Sequence, residues 1–252
     1  MTGTSVFDAL DVQHEELGER LDSLNEAAWG APSRCEGWTV ADVVLHLAQT
    51  DEFVIAGCTG NFGDAAAFFA PGANAVETVD DAAALAVEHE RGAAIPALLA
   101  RWRAASDESR RLLRNRDPSD QIPWVIGTLA PRTLATTRLA ESWIHAGDIA
   151  SPEGDWTDDE RLWHIARLAW RTLPYAYARA STTMSGPVRV VLSSSDDETW
   201  SFEPDEPAVT TVRGPALDWC LVAARRRDPA TTSLRAEGAD RDSVLSLART
   251  YA

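Results

Sequence analysis

Two stretches of the chain carry side chains that can bind a metal ion. Glu141 and His145 lie four residues apart in a helix-like segment, so both project from one face about a turn apart. His46 follows Thr39, which predicts a helix start with Asp42 as its capping partner, and its aliphatic neighbours predict an inward-facing ring. A His from one helix and a Glu-x3-His pair from another predict a three-ligand site that leaves a divalent metal open to water, thiol or substrate.

The same residues have a simpler interpretation, because a buried histidine is more often a hydrogen-bonded core residue than a metal ligand. Two neighbours extend the pattern. Asp148 lies three residues after His145, and Arg138 lies three residues before Glu141. On one helix face they would orient a ligand or bind an anionic group of a substrate. The alternative is a solvated stripe of salt bridges with no part in chemistry.

The other histidines are weaker candidates. His14 lies in an amphipathic segment and is interpreted as a surface or boundary residue, and His164 is given no role. The run 88–90 (Glu-His-Glu) could form a second metal cluster, but such a run in a solvated helix is usually surface. It ranks below His46, Glu141 and His145.

Composition limits the possible partners. The net charge of −16 disfavours nucleic acid and anionic membranes, so a small-molecule substrate is expected. No apolar run approaches the ~20 residues that span a bilayer, and the first residues do not resemble a signal peptide, so we expect a cytoplasmic protein. The chain has no lysine, which excludes Schiff-base and pyridoxal-phosphate chemistry. Its three cysteines predict neither a disulfide framework nor a thiolate zinc cage.

Periodicity predicts an α+β protein of two domains. Helical patterns cover residues 5–28, 39–58, 80–116 (bent near Gly92 or Pro96) and 131–150, and another starts at Thr157. Residues 59–79 would be a lid or an ordered connection. From residue 188 alternation predicts short strands at 188–192, 198–202, 208–212 and 232–236, with helices at 214–226 and 240–251. We predict a bundle of mainly four helices over residues 1–185 and a small α/β domain over 186–252.

Three motifs support a family resemblance: Gly-Trp-Thr-Val-x-Asp-Val-x-x-His-Leu at 37–47, Glu-x-Trp-x-His-x-x-Asp at 141–148, and Gly-Pro-Ala-Leu-Asp at 214–218. The chain resembles the mycothiol-dependent maleylpyruvate isomerase family, and is closest to a metal-binding branch through Pro123-Trp124 and residues 136–145. The resemblance implies a DinB-like four-helix metal-binding bundle followed by a small α/β domain. It also implies that His46, Glu141 and His145 bind zinc, with the fourth position accepting a thiolate such as that of mycothiol.

The resemblance suggests two further positions. The family uses an Arg outside the metal motifs, and its C-terminal helix usually closes with Gly-Arg. Here that place reads Ala224-Arg225, so Arg225 is a candidate catalytic residue, or simply a cation at a helix C-terminus. Cys35, just before the first motif, would bring a thiol near the metal, although a loop cysteine without a role is the simpler interpretation.

The leading functional hypothesis is an enzyme in which zinc lowers the pKa of a bound thiol or water. With a low-molecular-weight thiol the outcome is S-transfer or cis–trans isomerisation of a small molecule. With water it is hydrolysis or hydration, and with the metal as a Lewis acid it is a lyase or cyclase reaction of a biosynthetic pathway. The remaining alternative is a non-catalytic metal-binding protein. The oligomeric state is left open.

Overall fold

A computed structural model describes residues 4–69, 78–125 and 127–250. These residues form two compact units. The N-terminal unit spans residues 5–156, and the C-terminal unit contains residues 157–250 together with Thr4. No helix among the described residues is long and apolar enough to cross a membrane.

The N-terminal unit is a bundle of four long helices with short additions. The long helices are α1 (Val6–Ser23), α3 (Val40–Thr59), α6 (Ile95–Arg114) and α7 (Pro131–Asp148). Shorter helices are α2 (Glu26–Trp29), α4 (Phe62–Phe69) and α5 (Val79–Glu90), and an antiparallel hairpin joins β1 (Ile122–Trp124) to β2 (Gly127–Leu129). Within the bundle α3 packs mainly on α6, and α1 packs mainly on α7.

The two helices that carry the candidate ligands have clear start signals. At the start of α3, the Thr39 hydroxyl accepts from the Asp42 amide and the Asp42 carboxylate accepts from the Thr39 amide, the predicted capping box. At the start of α7, Pro131 occupies the first turn, where its missing N–H costs nothing. Buried aliphatic and aromatic side chains, including Leu47 and Trp102, fix both helices in the bundle.

The C-terminal unit is a four-stranded sheet with short helices. Its elements are α8 (Leu162–Arg171), α9 (Leu173–Arg179), β3 (Val188–Ser193), β4 (Thr199–Phe202), β5 (Thr210–Pro215), α10 (Ala216–Ala223), β6 (Arg235–Gly238) and α11 (Val244–Leu247). The strand order is β4-β3-β5-β6, with β3 and β5 parallel and the outer pairs antiparallel. The α10 helix packs on α8, where the Trp219 indole N–H donates to the Ala166 carbonyl at 3.1 Å.

The α+β class is confirmed, but several predicted boundaries are different. The compact units divide after residue 156 and not near 185, because α8 and α9 pack against α10 and α11. The pattern over 80–116 is two helices, since Gly92 adopts a positive φ of 94° between α5 and α6. The helix expected from Thr157 begins at Leu162, because Asp159 binds the amide and guanidinium of Arg161 in a preceding turn.

Two connecting segments also differ from expectation. The segment between the helical patterns at 80–116 and 131–150 contains the β1–β2 hairpin, whose three-residue strands are too short to show an alternating pattern. Of the segment 59–79, predicted to be a lid or an ordered connection, residues 62–69 form α4, while residues 70–77 lie outside the described part.

Candidate metal centre

His46, Glu141 and His145 meet within the N-terminal unit. Oε2 of Glu141 lies 3.4 Å from Nε2 of His46 and 3.6 Å from Nε2 of His145. The two imidazole rings stand edge to face with their centres 5.2 Å apart. Both histidines are buried, whereas the Glu141 side chain keeps a third of its surface exposed. The group is therefore enclosed by the bundle and reached from solvent on the Glu141 side.

The spacing of these donor atoms suits a tetrahedral zinc ion. Zinc bonds to nitrogen and oxygen of about 2.0–2.2 Å at a tetrahedral angle place neighbouring ligand atoms roughly 3.3–3.6 Å apart. The two measured separations, 3.4 and 3.6 Å, agree with that range. The donor set of two imidazoles and one carboxylate also suits zinc better than magnesium or calcium, which prefer oxygen ligands alone. The residues present therefore fit the metal that the family resemblance implies.

Asp148 is placed to orient His145. Its carboxylate Oδ2 accepts a hydrogen bond from Nδ1 of His145 at 3.1 Å, and the Asp148 side chain is fully buried. With a proton held on Nδ1, the nitrogen that His145 must deprotonate to bind a metal is Nε2, whose lone pair is then directed at Glu141 and His46. Asp148 thus lies where it can orient the His145 ring, and its role in binding stays a prediction.

The charges of the three candidate ligands are coupled. Burial opposes ionisation of Glu141, but hydrogen bonds from His145 and His46 outweigh it and hold the pKa of Glu141 well below its usual value. Burial lowers the pKa of His46. Burial also disfavours the charged form of His145, yet the Asp148, Cys35 and Glu141 contacts raise its pKa well above the usual value. Without a metal, Glu141 is therefore a carboxylate between a neutral ring and a protonated ring.

Arg138 lies one turn before Glu141, but it forms an ion pair with Asp51 and not with any of the three candidate ligands. Its Nε donates to Oδ1 of Asp51 at 3.1 Å, and both side chains are almost fully buried. Ser109 donates to the same oxygen. The polar stripe on α7 is therefore buried at Arg138, so this part of it is not a solvent-exposed row of salt bridges. Only 1% of the Arg138 side chain is exposed, which leaves no surface for binding a substrate.

Asp51 itself was not among the predicted site residues. It lies five residues after His46 in α3, and α3 and α7 meet both at His46–Glu141 and at Asp51–Arg138. An acidic residue within the predominantly apolar stretch 43–58 is the sequence signal that points to it, because a buried charge needs a partner.

His14 is buried, and the prediction of a surface or boundary position was wrong. Its Nε2 lies 2.7 Å from the Ser142 hydroxyl, on the residue next to Glu141, and burial lowers the pKa of His14 to about 4. His164 is also buried, and its Nε2 lies 2.9 Å from the Thr4 carbonyl. His89 is exposed on α5, and among the described residues it joins no group of closely spaced donors.

Arg225 belongs to the C-terminal unit, directly after α10. It adopts a left-handed φ of 62°, and its guanidinium donates to the Ser246 carbonyl at 2.7 Å. Together with Arg226 and Arg227 it lines a cleft of about 300 Å³. Its catalytic role remains a prediction.

Comparison with known proteins agrees with this architecture. A family model described as the mycothiol maleylpyruvate isomerase N-terminal domain matches residues 10–150, which lie within the N-terminal unit and include all three candidate ligands. Two uncharacterized proteins from two strains of Mycobacterium tuberculosis are each 31% identical over 246 residues, covering 96% of this chain and 93% of theirs.

Two solved structures share the fold. They are the crystal structures of a mycothiol-dependent maleylpyruvate isomerase and of a histidine-to-alanine mutant of it, with TM-scores of 0.60 and 0.58. Each match has 16% identity and covers 92% of this chain and 91% of the other.

Proposed function

This chain belongs to the mycothiol maleylpyruvate isomerase family, and from that premise we propose that it is a metal-dependent enzyme acting on a small molecule with a low-molecular-weight thiol. Zinc is the proposed metal, and mycothiol or a close analogue is the proposed thiol. The single observation that carries this proposal is the convergence of Nε2 of His46, Nε2 of His145 and Oε2 of Glu141 on one point.

Three protein ligands leave a fourth tetrahedral position for a thiol, which distinguishes this site from a closed structural one. The metal, when bound, would lower the pKa of a thiol at that position and so supply a thiolate at neutral pH. The partial exposure of Glu141 gives a small molecule access from solvent.

The chain's own residues prepare the site. Asp148 holds the proton on Nδ1 of His145, so that Nε2 faces the other two donors. The Trp38 ring packs against His46, with ring centres 5.1 Å apart, and restricts the rotation of that imidazole. The low pKa of Glu141 keeps the carboxylate ionised at neutral pH. Glu141 and His46 thus have the protonation states that metal binding needs. His145 has the required orientation and must lose the proton on Nε2 when the metal binds.

The proposed reaction is cis–trans isomerisation or S-transfer. In isomerisation the thiol sulfur adds to a carbon–carbon double bond, the resulting single bond rotates, and the thiol leaves again, so that no thiol is consumed. In S-transfer the new carbon–sulfur bond stays in the product, and one thiol is consumed per turnover. A thiol balance therefore separates the two outcomes.

The test is an assay of zinc-loaded protein with mycothiol, using maleylpyruvate and simple electrophiles as substrates. We expect turnover that requires both metal and thiol, and that is abolished by Glu141→Ala but kept by His89→Ala, an exposed control. Turnover without thiol, or equal rates in the Glu141 variant, would contradict the proposal.

A further inference from the structure

The imidazole of His145 has donor groups beside both of its nitrogens. Nε2 faces Glu141 and His46, whereas Nδ1 lies 3.1 Å from Oδ2 of Asp148 and 3.6 Å from Sγ of Cys35. Sγ of Cys35 in turn lies 3.4 Å from Oδ2 of Asp148. The second group is thus a closed triangle of sulfur, nitrogen and oxygen atoms on the opposite side of the ring.

We propose that Cys35, His145 Nδ1 and Asp148 form a second cation site, selective for a thiophilic divalent ion such as zinc. Tetrahedral bonds of about 2.3 Å to sulfur and 2.0–2.2 Å to nitrogen and oxygen separate the donor atoms by roughly 3.3–3.6 Å. The measured edges, 3.1, 3.4 and 3.6 Å, are close to that triangle. A thiolate ligand favours zinc over magnesium or calcium.

Cys35 is held in place by the loop that carries it. The amide of Arg34 donates to the Asp148 carbonyl at 3.1 Å, and the Cys35 amide donates to the Ser33 hydroxyl at 3.1 Å. The first contact fixes the backbone next to Cys35 against the last turn of α7, and the second stabilises the loop itself. Ordering the donor before the ion arrives lowers the entropic cost of binding.

A tryptophan clamp strengthens this attachment. The Trp156 indole N–H donates to the Ile144 carbonyl at 3.0 Å, and the Arg34 guanidinium lies over the Trp156 ring at 5.3 Å. The ring lies so close to Gly147 that a Cβ there would overlap it. Arg34 also donates to the Glu153 carbonyl at 2.7 Å. The segment after α7 therefore folds back and holds the Cys35 loop on the helix end.

Binding at this site has a defined proton balance. The ion displaces one proton from the Cys35 thiol and one from Nδ1 of His145, while Asp148 changes from hydrogen-bond acceptor to ligand. The metal ion would reach the site from the side of Cys35, which is half-buried, because the Asp148 side chain is fully buried. The two sites share His145 through opposite ring nitrogens, so the new site does not need His46.

Cobalt(II) absorption is the test, because only a sulfur ligand produces near-ultraviolet sulfur-to-cobalt charge transfer. Cobalt in excess is added to thiol-free wild-type protein and to its His46→Ala variant, each with and without Cys35→Ser. We expect the sulfur band in the His46→Ala background, its complete loss with Cys35→Ser, and its retention in the matched control Cys58→Ser. Circular dichroism verifies folding.

A sulfur band that is absent from the His46→Ala protein, or that persists after Cys35→Ser, would overturn the proposal. Because His46→Ala removes the first site, a band in that variant supports the second site even if the proposed function fails. Conversely, if no cobalt binds at Cys35, the proposed thiol chemistry at His46, Glu141 and His145 is not contradicted, because that chemistry does not depend on the second site.

Discussion

Nδ1 of His145 and Oδ2 of Asp148 are joined by a 3.1 Å hydrogen bond within one turn of α7, and this bond holds Nε2 of the same ring toward Glu141. It also explains the Glu-x3-His-x2-Asp spacing, since ligand, ligand and orienting carboxylate then share one helix face. Removing only the Asp148 carboxylate should therefore show how much the orientation of the His145 ring contributes to metal binding, because the metal ligand itself is kept.

Asp148→Asn is the corresponding variant, because it keeps the size of the side chain and loses the charge. We expect zinc affinity or turnover to fall by ~10–100-fold, the usual effect of losing an orienting partner, with helical content unchanged. Competition with a chromophoric chelator measures the affinity. An Asp148→Asn protein with wild-type affinity and turnover would show that the hydrogen bond is irrelevant to the site.

Arg138 is expected to act on stability. Arg138→Ala leaves the buried carboxylate of Asp51 without its guanidinium partner, and breaking such a pair typically costs about 3–5 kcal/mol of unfolding free energy. Urea denaturation followed by circular dichroism measures the loss. The double variant Asp51→Leu/Arg138→Met should recover much of it, because no charge remains buried.

The exposed pair of Arg103 and Asp22 is the matched control for Arg138. Arg103→Ala should cost only about 0–1 kcal/mol, since water screens that pair. Equal losses in the two Arg variants would refute the buried-pair account.

His14 predicts a pH-dependent stability. Its pKa is about 4 in the folded protein and 6.5 unfolded, so the unfolded chain binds the extra proton as pH falls through this window. The unfolding free energy should therefore decrease between pH 6.5 and 4, by about 2 kcal/mol at pH 5. The difference in pH slope between wild type and His14→Gln measures this contribution. If the unfolding free energies of the two proteins had the same pH dependence, His14 would not be a buried, neutral histidine.

The arrangement of the candidate ligands along α7 could be predicted from the sequence, because it depends on local spacing. Glu141, His145 and Asp148 share a face as a consequence of helical periodicity, and the Thr39 capping box fixed the start of the helix that carries His46. The meeting of the His46 helix with Glu141 was a hypothesis from the residue types, and the family resemblance supported it. Spacing within one helix carries no information about which helix packs against it.

The features that escaped prediction depend on contacts distant in the chain. Asp51 and Arg138 are 87 residues apart, and His14 and Ser142 are 128 apart, so neither pairing has a local signal. The position of Cys35 beside His145 likewise depends on the loop 30–38 lying against the end of α7. The domain boundary predicted near 185 follows a change of periodicity, which marks a change of element, whereas the division of the compact units after residue 156 is determined by packing.

Zinc content measured by elemental analysis, after dialysis against a low concentration of zinc, tests the central claim most directly. Wild-type protein and His89→Ala should retain the metal, whereas His46→Ala, Glu141→Ala and His145→Ala should each hold at least one zinc ion per chain fewer, with circular dichroism confirming that they remain folded. Equal zinc content in the wild-type protein and all three ligand variants would contradict the assignment of His46, Glu141 and His145 as the metal centre.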